Sequence, residues 1–479
     1  MNNQLKEKIK SIVGSKNYFD SVEDKLSYSY DATAIYNQMP EAVVFPDNEE
    51  QISKILKLAN EELFNIVPRG SGTGLSGGSI PVENSLVMVM TRWNNILEID
   101  CKNLTATVQP GVITGQLQRE VEKLGLFYPP DPGSLNVCTI GGNVANNAGG
   151  LRGLKYGVTK NYVLGTEMIL PNGELLKTGG KNYKDTAGYN LRDFIIGSEG
   201  TLGVITKVLL KLIPMPSKFI TLIAYFDKLS DSARAVADII SAHITPSMLE
   251  FLDNTTINCV EDFTKIGLPR NADAILLIEV DGRGSSVDED AETIKNILKR
   301  DGASYVHSAE TNNEAFKLKS ARRSAFSALA RKRPTTILED ATVPRSELPI
   351  MIEKITEASR KFDVTFGNFG HAGDGNLHPT CLTDERDKTE IIRALKAFDF
   401  IFNEAIKLGG TITGEHGTGL SKKEFLELSV GIPALDMMKK IKKTIDENNI
   451  LNPGKIFNMS PRCEGALPER REQIKDFVY

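Results

Sequence analysis

Two of the chain's five histidines, His371 and His378, stand seven residues apart in the stretch FGNFGHAGDGNLHPT (366–380), across a glycine turn. Imidazoles so spaced converge on one ion if the turn joins two strand-like arms. A later stretch, TITGEHGTGLSKKE (411–424), adds Glu415 and His416 between glycines. Glu415 completes an N₂O ligand set that leaves a position open, as catalytic divalent-metal sites do. His416 is the next residue, so its imidazole can reach another point of the same pocket as a general base. The blander account is two polar turns; three candidate ligands in glycine-lined turns weigh against it. A basic run, KSARRSAFSALARKRP (319–334), could supply a cation for an anionic substrate, or be a solvated helix face.

These groups need elements to hold them. The stretch PDNEEQISKILKLANEEL predicts an amphipathic helix with Asp47 as N-cap, Glu50 three residues on, and Ile52, Ile55, Leu56 and Ala59 on one face. Strands are expected at FNIVPRG, SLVMVMT, ILEIDCKNLTATVQPG, VLGTEMILPNGELLKT and GVITKVLLKLIP, with a helix at ITGQLQREVEKLGL. The texture changes after residue 215. There FITLIAYF, SDSARAVADIISAH, DAILLIEVDG and SVDEDAETIKNILKRDG alternate strand and helix as in a ferredoxin-like arrangement.

Three glycine-rich segments remain. PRGSGTGLSGGSIP (68–81) contains a literal GxGxxG at Gly72, Gly74 and Gly77. Pro81 and a strand come after it, so the helix opening that a nicotinamide-type Rossmann site requires is missing. Backbone N–H groups turned inward as an anion nest, with Arg69, Ser71, Thr73 and Ser76, could still hold phosphate. The second segment, 128–165, far exceeds ordinary connections of about 4–6 residues. The third is IGSEGTLGVIT (196–206).

Together with the terminal NPGKIF, these segments resemble the FAD-binding domain of the vanillyl-alcohol oxidase (PCMH-type FAD) superfamily. The resemblance runs from about residue 40 to about 458, within the branch of D-lactate dehydrogenases and glycolate oxidase subunits. It implies an α+β fold: a PCMH-type FAD-binding domain of two α+β subdomains plus a ferredoxin-like α+β substrate (cap) domain. The expected limits are 1–215 for the first, 216–445 for the second with the metal site, and 446–479 for a returning segment and charged tail. It implies a pyrophosphate loop of Arg69, Gly70, Ser71, Gly72, Thr73, Gly74, Leu75, Ser76 and Gly77. The rest of the FAD would meet Pro130, Asp131, Ser134, Thr139, Gly141, Gly142, Asn143, Ala145, Asn146, Gly149 and Gly150. Glu199, Gly200, Gly203, Val204, Ile205 and Asn452 complete that set. No histidine precedes His243, so histidyl attachment in the loop is ruled out; Cys138 leaves a thioether open, and non-covalent FAD is expected.

Carried over residue by residue, the resemblance implies His371, His378 and Glu415 as ligands of a divalent metal (Zn, Fe, Mn or Co), with His416 as base. Arg322 is implied as the substrate-carboxylate clamp, with Arg331 as a further catalytic arginine; Asp374 and Asn376 shape the turn. The reaction implied is oxidation of a 2-hydroxy acid, its hydride passing from Cα to flavin N5. The hydroxyglutarate enzymes of this branch carry a lysine before D-x-x-x-P, where TTILEDATVP here has Leu338 and Glu339. A small monocarboxylate is favoured: D-lactate first, glycolate as the alternative, with a non-catalytic FAD subunit of a larger redox complex as the rival reading.

Bulk properties narrow the partners. At 479 residues two or three domains are expected. A net charge of −5 argues against nucleic-acid binding. No apolar run reaches the ~18 residues of a membrane helix, and MNNQLKEKIKSIVG lacks the features of a signal peptide, so a soluble cytoplasmic protein is expected. The five cysteines form no CxxC, which disfavours a resident iron–sulfur cluster. Electrons are then expected to leave to an external acceptor, an electron-transferring flavoprotein first, with the tail SPRCEGALPERREQIKDFVY as a docking element.

Overall fold

The computed structural model describes residues 1–459, and the tail from residue 460, with its expected docking role, lies outside the described residues. The chain divides into two compact units.

Among the described residues, the first unit comprises Met1–Ala148, Val158–Met215 and residues 415–459. Its first layer is a four-stranded sheet in the order Tyr18–Phe19, Ala42–Val44, Ser85–Val89, Asn65–Arg69. Ser85–Val89 pairs in parallel with both Ala42–Val44 and Asn65–Arg69, and the helix Glu49–Glu62 makes the crossover between those two. That helix buries Ile52, Ile55, Leu56, Leu58 and Ala59 against the sheet, together with Leu86, Met88 and Ile66. Each fully buried aliphatic side chain stabilises by about 1.5–3 kcal/mol. The cap differs from expectation by one residue. Asn48, in extended backbone, accepts from Gln51 N at 3.0 Å, and Gln51 Oε1 accepts from Asp47 N at 2.7 Å. Asp47 instead takes Asn17 Nδ2 at 2.7 Å.

The second layer is an antiparallel sheet in the order Ile96–Asp100, Thr105–Val108, Val204–Lys211, Val163–Ile169, Leu175–Gly179. The two sheets are the two expected α+β subdomains. Strand alternation is clear in Val204–Lys211, where Val204, Thr206, Val208 and Leu210 are buried in turn.

The second unit comprises Gly149–Gly157 and Pro216–Gly414. Its strands Lys218–Phe226, Met248–Asp253, Ala274–Gly282 and Ala303–Ser308 lie in the order fourth, first, third, second. With helices Leu229–Ser241 and Ser286–Arg300 between them, this is the ferredoxin-like arrangement. The sheet does not stop there. Met248–Asp253 pairs at its other edge with Thr365–His371, which pairs with Asn376–Thr383, which in turn pairs with Thr335–Leu338 and Ala341–Thr342.

The unit limits differ from the expected ones at two places. Residues 149–157 join the second unit, because Tyr156 Oη donates to Asp281 at 2.8 Å and Lys155 pairs with the same carboxylate. The return to the first unit begins at Glu415 rather than 446, because Leu420 N donates to Ser76 O at 2.7 Å and Thr418 N to Glu199 at 2.7 Å. Among the described residues, no helix is long and apolar enough to cross a membrane.

Candidate active site

The histidine stretch is a β-hairpin. His371 ends one strand, Asn376 begins the next, and residues 372–375 make the turn. Gly375 has φ +81°, and a Cβ there would lie 2.2 Å from Val343 O, so no other residue fits without displacing backbone. Asp374 accepts from Asn376 N at 3.3 Å, the turn-shaping role expected for this pair. Phe369 and His378 are cross-strand partners, and His371, two residues beyond Phe369, shares their face. The two imidazoles are buried, with centroids 5.0 Å apart and planes at 87°.

The adjoining strand brings a residue that sequence reasoning missed. The pairing Phe251↔Gly370 sets Glu250 opposite His371, and Glu250 Oε1 lies 2.7 Å from His371 Nδ1. The carboxylate can only accept, so Nδ1 carries the proton and Nε2 is the acceptor nitrogen, the tautomer a metal-binding imidazole needs. Glu250 Oε2 lies 2.5 Å from Arg322 Nη2, an ion pair with both side chains buried. Arg322 stands in the last turn of the helix Asn312–Arg323, its guanidinium 4.8 Å over the ring of Phe369. Among the described residues, Arg322 Nε and Nη2 have no well-directed hydrogen-bond acceptor; the contact with Glu250 is close but poorly aligned. The signal for Glu250 was a lone acid in the apolar run MLEFL.

Arg331 is not brought to this cluster. It is exposed, with its guanidinium 5.4 Å over Phe263, and its neighbours Lys332 and Arg333 are also on the surface. The distal part of the basic run is therefore a solvated face, and a catalytic role for Arg331 lacks the burial that Arg322 has.

Gly414 closes the second unit. Its N–H donates to Asp340 Oδ2 at 2.6 Å, and Thr413 Oγ1 donates to the same oxygen at 3.1 Å. His371 and His378 of the second unit each offer an imidazole nitrogen, and Glu415, where the chain returns to the first unit, offers a carboxylate. His416, the next residue, is half-buried, its Nε2 3.7 Å from Glu415 Oε1.

In the first unit the glycine loop (70–78) joins the strands Asn65–Arg69 and Ser85–Val89. Arg69 lies buried beneath it: a Cβ at Gly72 would meet its Nη2 at 2.2 Å, and the guanidinium sits 5.6 Å over Tyr28. Arg69 thus supports the loop from within. Thr73, Gly74 and Leu75 are partly exposed; Ser76 and Gly77 are buried against Leu420 and its neighbours. Gly70 passes so close to Thr139 that a Cβ would lie 2.4 Å from its Oγ1. Thr139 caps the short helix Ile140–Asn146, accepting from Gly142 N at 3.3 Å, and Gly141 passes equally tightly against Pro110.

Other expected cofactor residues hold this framework. Asn143 Nδ2 donates to Thr114 Oγ1 at 2.7 Å, and that oxygen lies 3.3 Å from the buried thiol of Cys138. Pro130 O accepts from Gln118 at 2.8 Å; Asp131 is buried beside it, and Ser134 O accepts from Cys138 N. Ala145 O accepts from Glu199 N, and Asn146 Nδ2 donates to His416 O at 3.3 Å. Asn452 Nδ2 bridges Gly78 O and Glu199 O at 2.8 and 2.7 Å. Gly200 packs on Pro68 and Gly203 on Met168. The side chain of Val204 is in the core with Ile52 and Ile55, and Ile205 packs towards Met168 and Leu202, so both belong to the packing of their strand. Gly149 and Gly150 lie in the second unit.

Glu199 does more than line a loop. At φ +50°, it accepts from Thr418 N at 2.7 Å and Gly419 N at 2.8 Å, holding the chain just after His416. Burial pushes its carboxyl up to about 7.

Residues 40–179 match the family described as FAD binding domain, and residues 215–456 match FAD linked oxidases, C-terminal domain. The chain belongs to the FAD-linked oxidase family. A glycolate oxidase subunit GlcD of Bacillus subtilis is 53% identical over 96% of this chain and 97% of its own. A D-lactate dehydrogenase of Anaerostipes hadrus is 35% identical over 90% of this chain and 92% of its own. Among solved structures, p-cresol methylhydroxylase superposes with a TM-score of 0.80 at 18% identity, over 95% of this chain and 97% of that one, which establishes the PCMH-type fold. This FAD-linked oxidase has a loop chemically suited to its cofactor: the Ser71 and Ser76 hydroxyls are buried with no hydrogen-bond partner among the described residues, as phosphate-binding hydroxyls would be.

Proposed function

We propose that this FAD-linked oxidase dehydrogenates a small 2-hydroxy monocarboxylate, glycolate or D-lactate, to the 2-oxo acid. The observation that carries the reading is Arg322: a buried guanidinium with two nitrogens lacking aligned acceptors, held through one carboxylate to His371. A guanidinium so placed matches a substrate carboxylate by its planar fork. The donor set fits a divalent metal, because His371 presents Nε2 beside the buried imidazole of His378, and Glu415 would add a carboxylate to the two nitrogens. When bound, FAD supplies the two-electron oxidant and the metal a Lewis acid that makes the substrate hydroxyl more acidic. Arg322 then orients the carboxylate, and His416 receives the hydroxyl proton at an imidazole nitrogen. Leu338 and Glu339 are buried at the D-x-x-x-P segment, which supports a monocarboxylate over a dicarboxylate. The two named relatives support glycolate and D-lactate respectively.

A protein acceptor of the electron-transferring flavoprotein type would take the two electrons that the FAD would carry away from the substrate. The four cysteines of the described residues are free and scattered, which supports an acceptor outside the chain. An anaerobic visible spectrum of the purified flavoprotein, taken before and after glycolate, D-lactate and L-lactate, tests the substrate. Bleaching by glycolate or D-lactate is expected, with loss of bleaching in His371→Ala while flavin stays bound. A spectrum unmoved by all three acids counts against the reading. Reoxidation of the bleached enzyme by an electron-transferring flavoprotein under nitrogen tests the acceptor.

A further inference from the structure

Resting on that proposed function, we infer that Glu250 is the positioning residue of the site: one buried carboxylate fixes both the ring nitrogen that His371 presents and the guanidinium of Arg322. Glu250 lies in the strand Met248–Asp253, among Leu249, Phe251 and Leu252, and is fully buried. A carboxylate in such surroundings is costly unless paired and hydrogen-bonded. Its partners come from two other elements, His371 from the hairpin and Arg322 from the helix Asn312–Arg323.

Docking that helix does not account for the pair. One turn earlier on the same helix, Lys319 Nζ binds Glu279 at 2.5 Å, and Glu279 also takes Thr221 Oγ1 at 3.2 Å. This second buried carboxylate already ties the helix to the sheet. Only Glu250 adds an imidazole. A carboxylate has no donor, so it admits a single tautomer of His371, with the proton on Nδ1. A glutamine amide would admit both, and the wrong tautomer places a proton on the nitrogen that binds metal.

The test uses the purified FAD-containing enzyme with Zn²⁺ as probe, in competition with a chromophoric chelator. Flavin content and melting temperature serve as checks on folding. Glu250→Gln should weaken Zn²⁺ binding about 10- to 100-fold while flavin stays bound. Glu250→Asp keeps an acceptor-only group but draws it back by one methylene, and should weaken Zn²⁺ binding about three- to tenfold. Lys319→Met should leave Zn²⁺ affinity within about twofold, since it removes only the docking pair. Unchanged affinity in either Glu250 variant would overturn the inference, and so would an equal loss in Lys319→Met. If the unsubstituted enzyme takes up no Zn²⁺, the metal reading beneath it fails as well. If it takes up Zn²⁺ but Glu250→Gln binds it as tightly, only this inference fails.

Discussion

Arg322 and Arg331 lie in one basic run and end in opposite surroundings, one buried against Glu250 and Phe369, the other exposed over Phe263. Arg322→Lys keeps the charge but loses the planar fork, so KM for the acid should rise about 100-fold, near 3 kcal/mol, with flavin content unchanged. Arg331→Ala should leave kcat/KM within about twofold, because an exposed cation–π contact contributes only about 0.5–1 kcal/mol. Steady-state kinetics on both variants check the pair. Glu199 makes a prediction about pH. Its folded carboxyl, near 7, stands above its ordinary 4.5 because it is buried. Between those values the folded state holds a proton that the unfolded state has released, so this group's contribution to stability is greatest below about pH 4.5 and is lost as pH rises through 7. The melting temperature of the unsubstituted enzyme should therefore exceed that of Glu199→Gln by more at pH 5 than at pH 8. A difference that shrinks towards pH 5 would contradict the assignment.

Elements place these residues through backbone rules that leave partial traces in sequence. The hairpin Thr365–His371/Asn376–Thr383 was foreshadowed by HAGDGNLH, since two arms and a glycine turn suffice to bring both imidazoles to one face. Its pivot is Gly375. Gly375→Ala would force a Cβ into a positive-φ position and against Val343 O. It should lower stability by about 1–3 kcal/mol and reduce bound metal, readable by thermal denaturation and elemental analysis. Caps were less legible. Asp47 and Asn48 are both good N-caps, and only the extended backbone at Asn48 decides between them.

At the scale of the whole chain, the FAD-binding unit is discontinuous. The FAD binding match ends at residue 179, yet among the described residues the unit includes 415–459. Asn452 bridges Gly78 and Glu199, Ile66 N donates to Ile450 O, and buried Lys442 donates to Thr201 O and Leu451 O at 2.7 and 2.8 Å. A chain ended after Gly414 should thus fail to retain FAD, although it keeps all three glycine-rich segments. Lys442→Met leaves Asp446 as a buried, uncompensated charge and should destabilise by about 3–5 kcal/mol. Flavin retention after gel filtration, together with melting curves, would check both.

The sequence alone determined the local chemistry of this protein: the glycine segments, the paired histidines, the Glu415–His416 step and the alternation of strand and helix. Those are short-range patterns, fixed by side-chain type and by turns of a few residues. Long-range packing chose which of the basic residues is buried, that residues 149–157 belong to the second unit, and that Glu199 grips the chain after His416. It also set Glu250 beside His371 across 121 positions of chain. Strand register between distant segments determines that contact, and a single acid in an apolar run carries no mark of the partner it will meet.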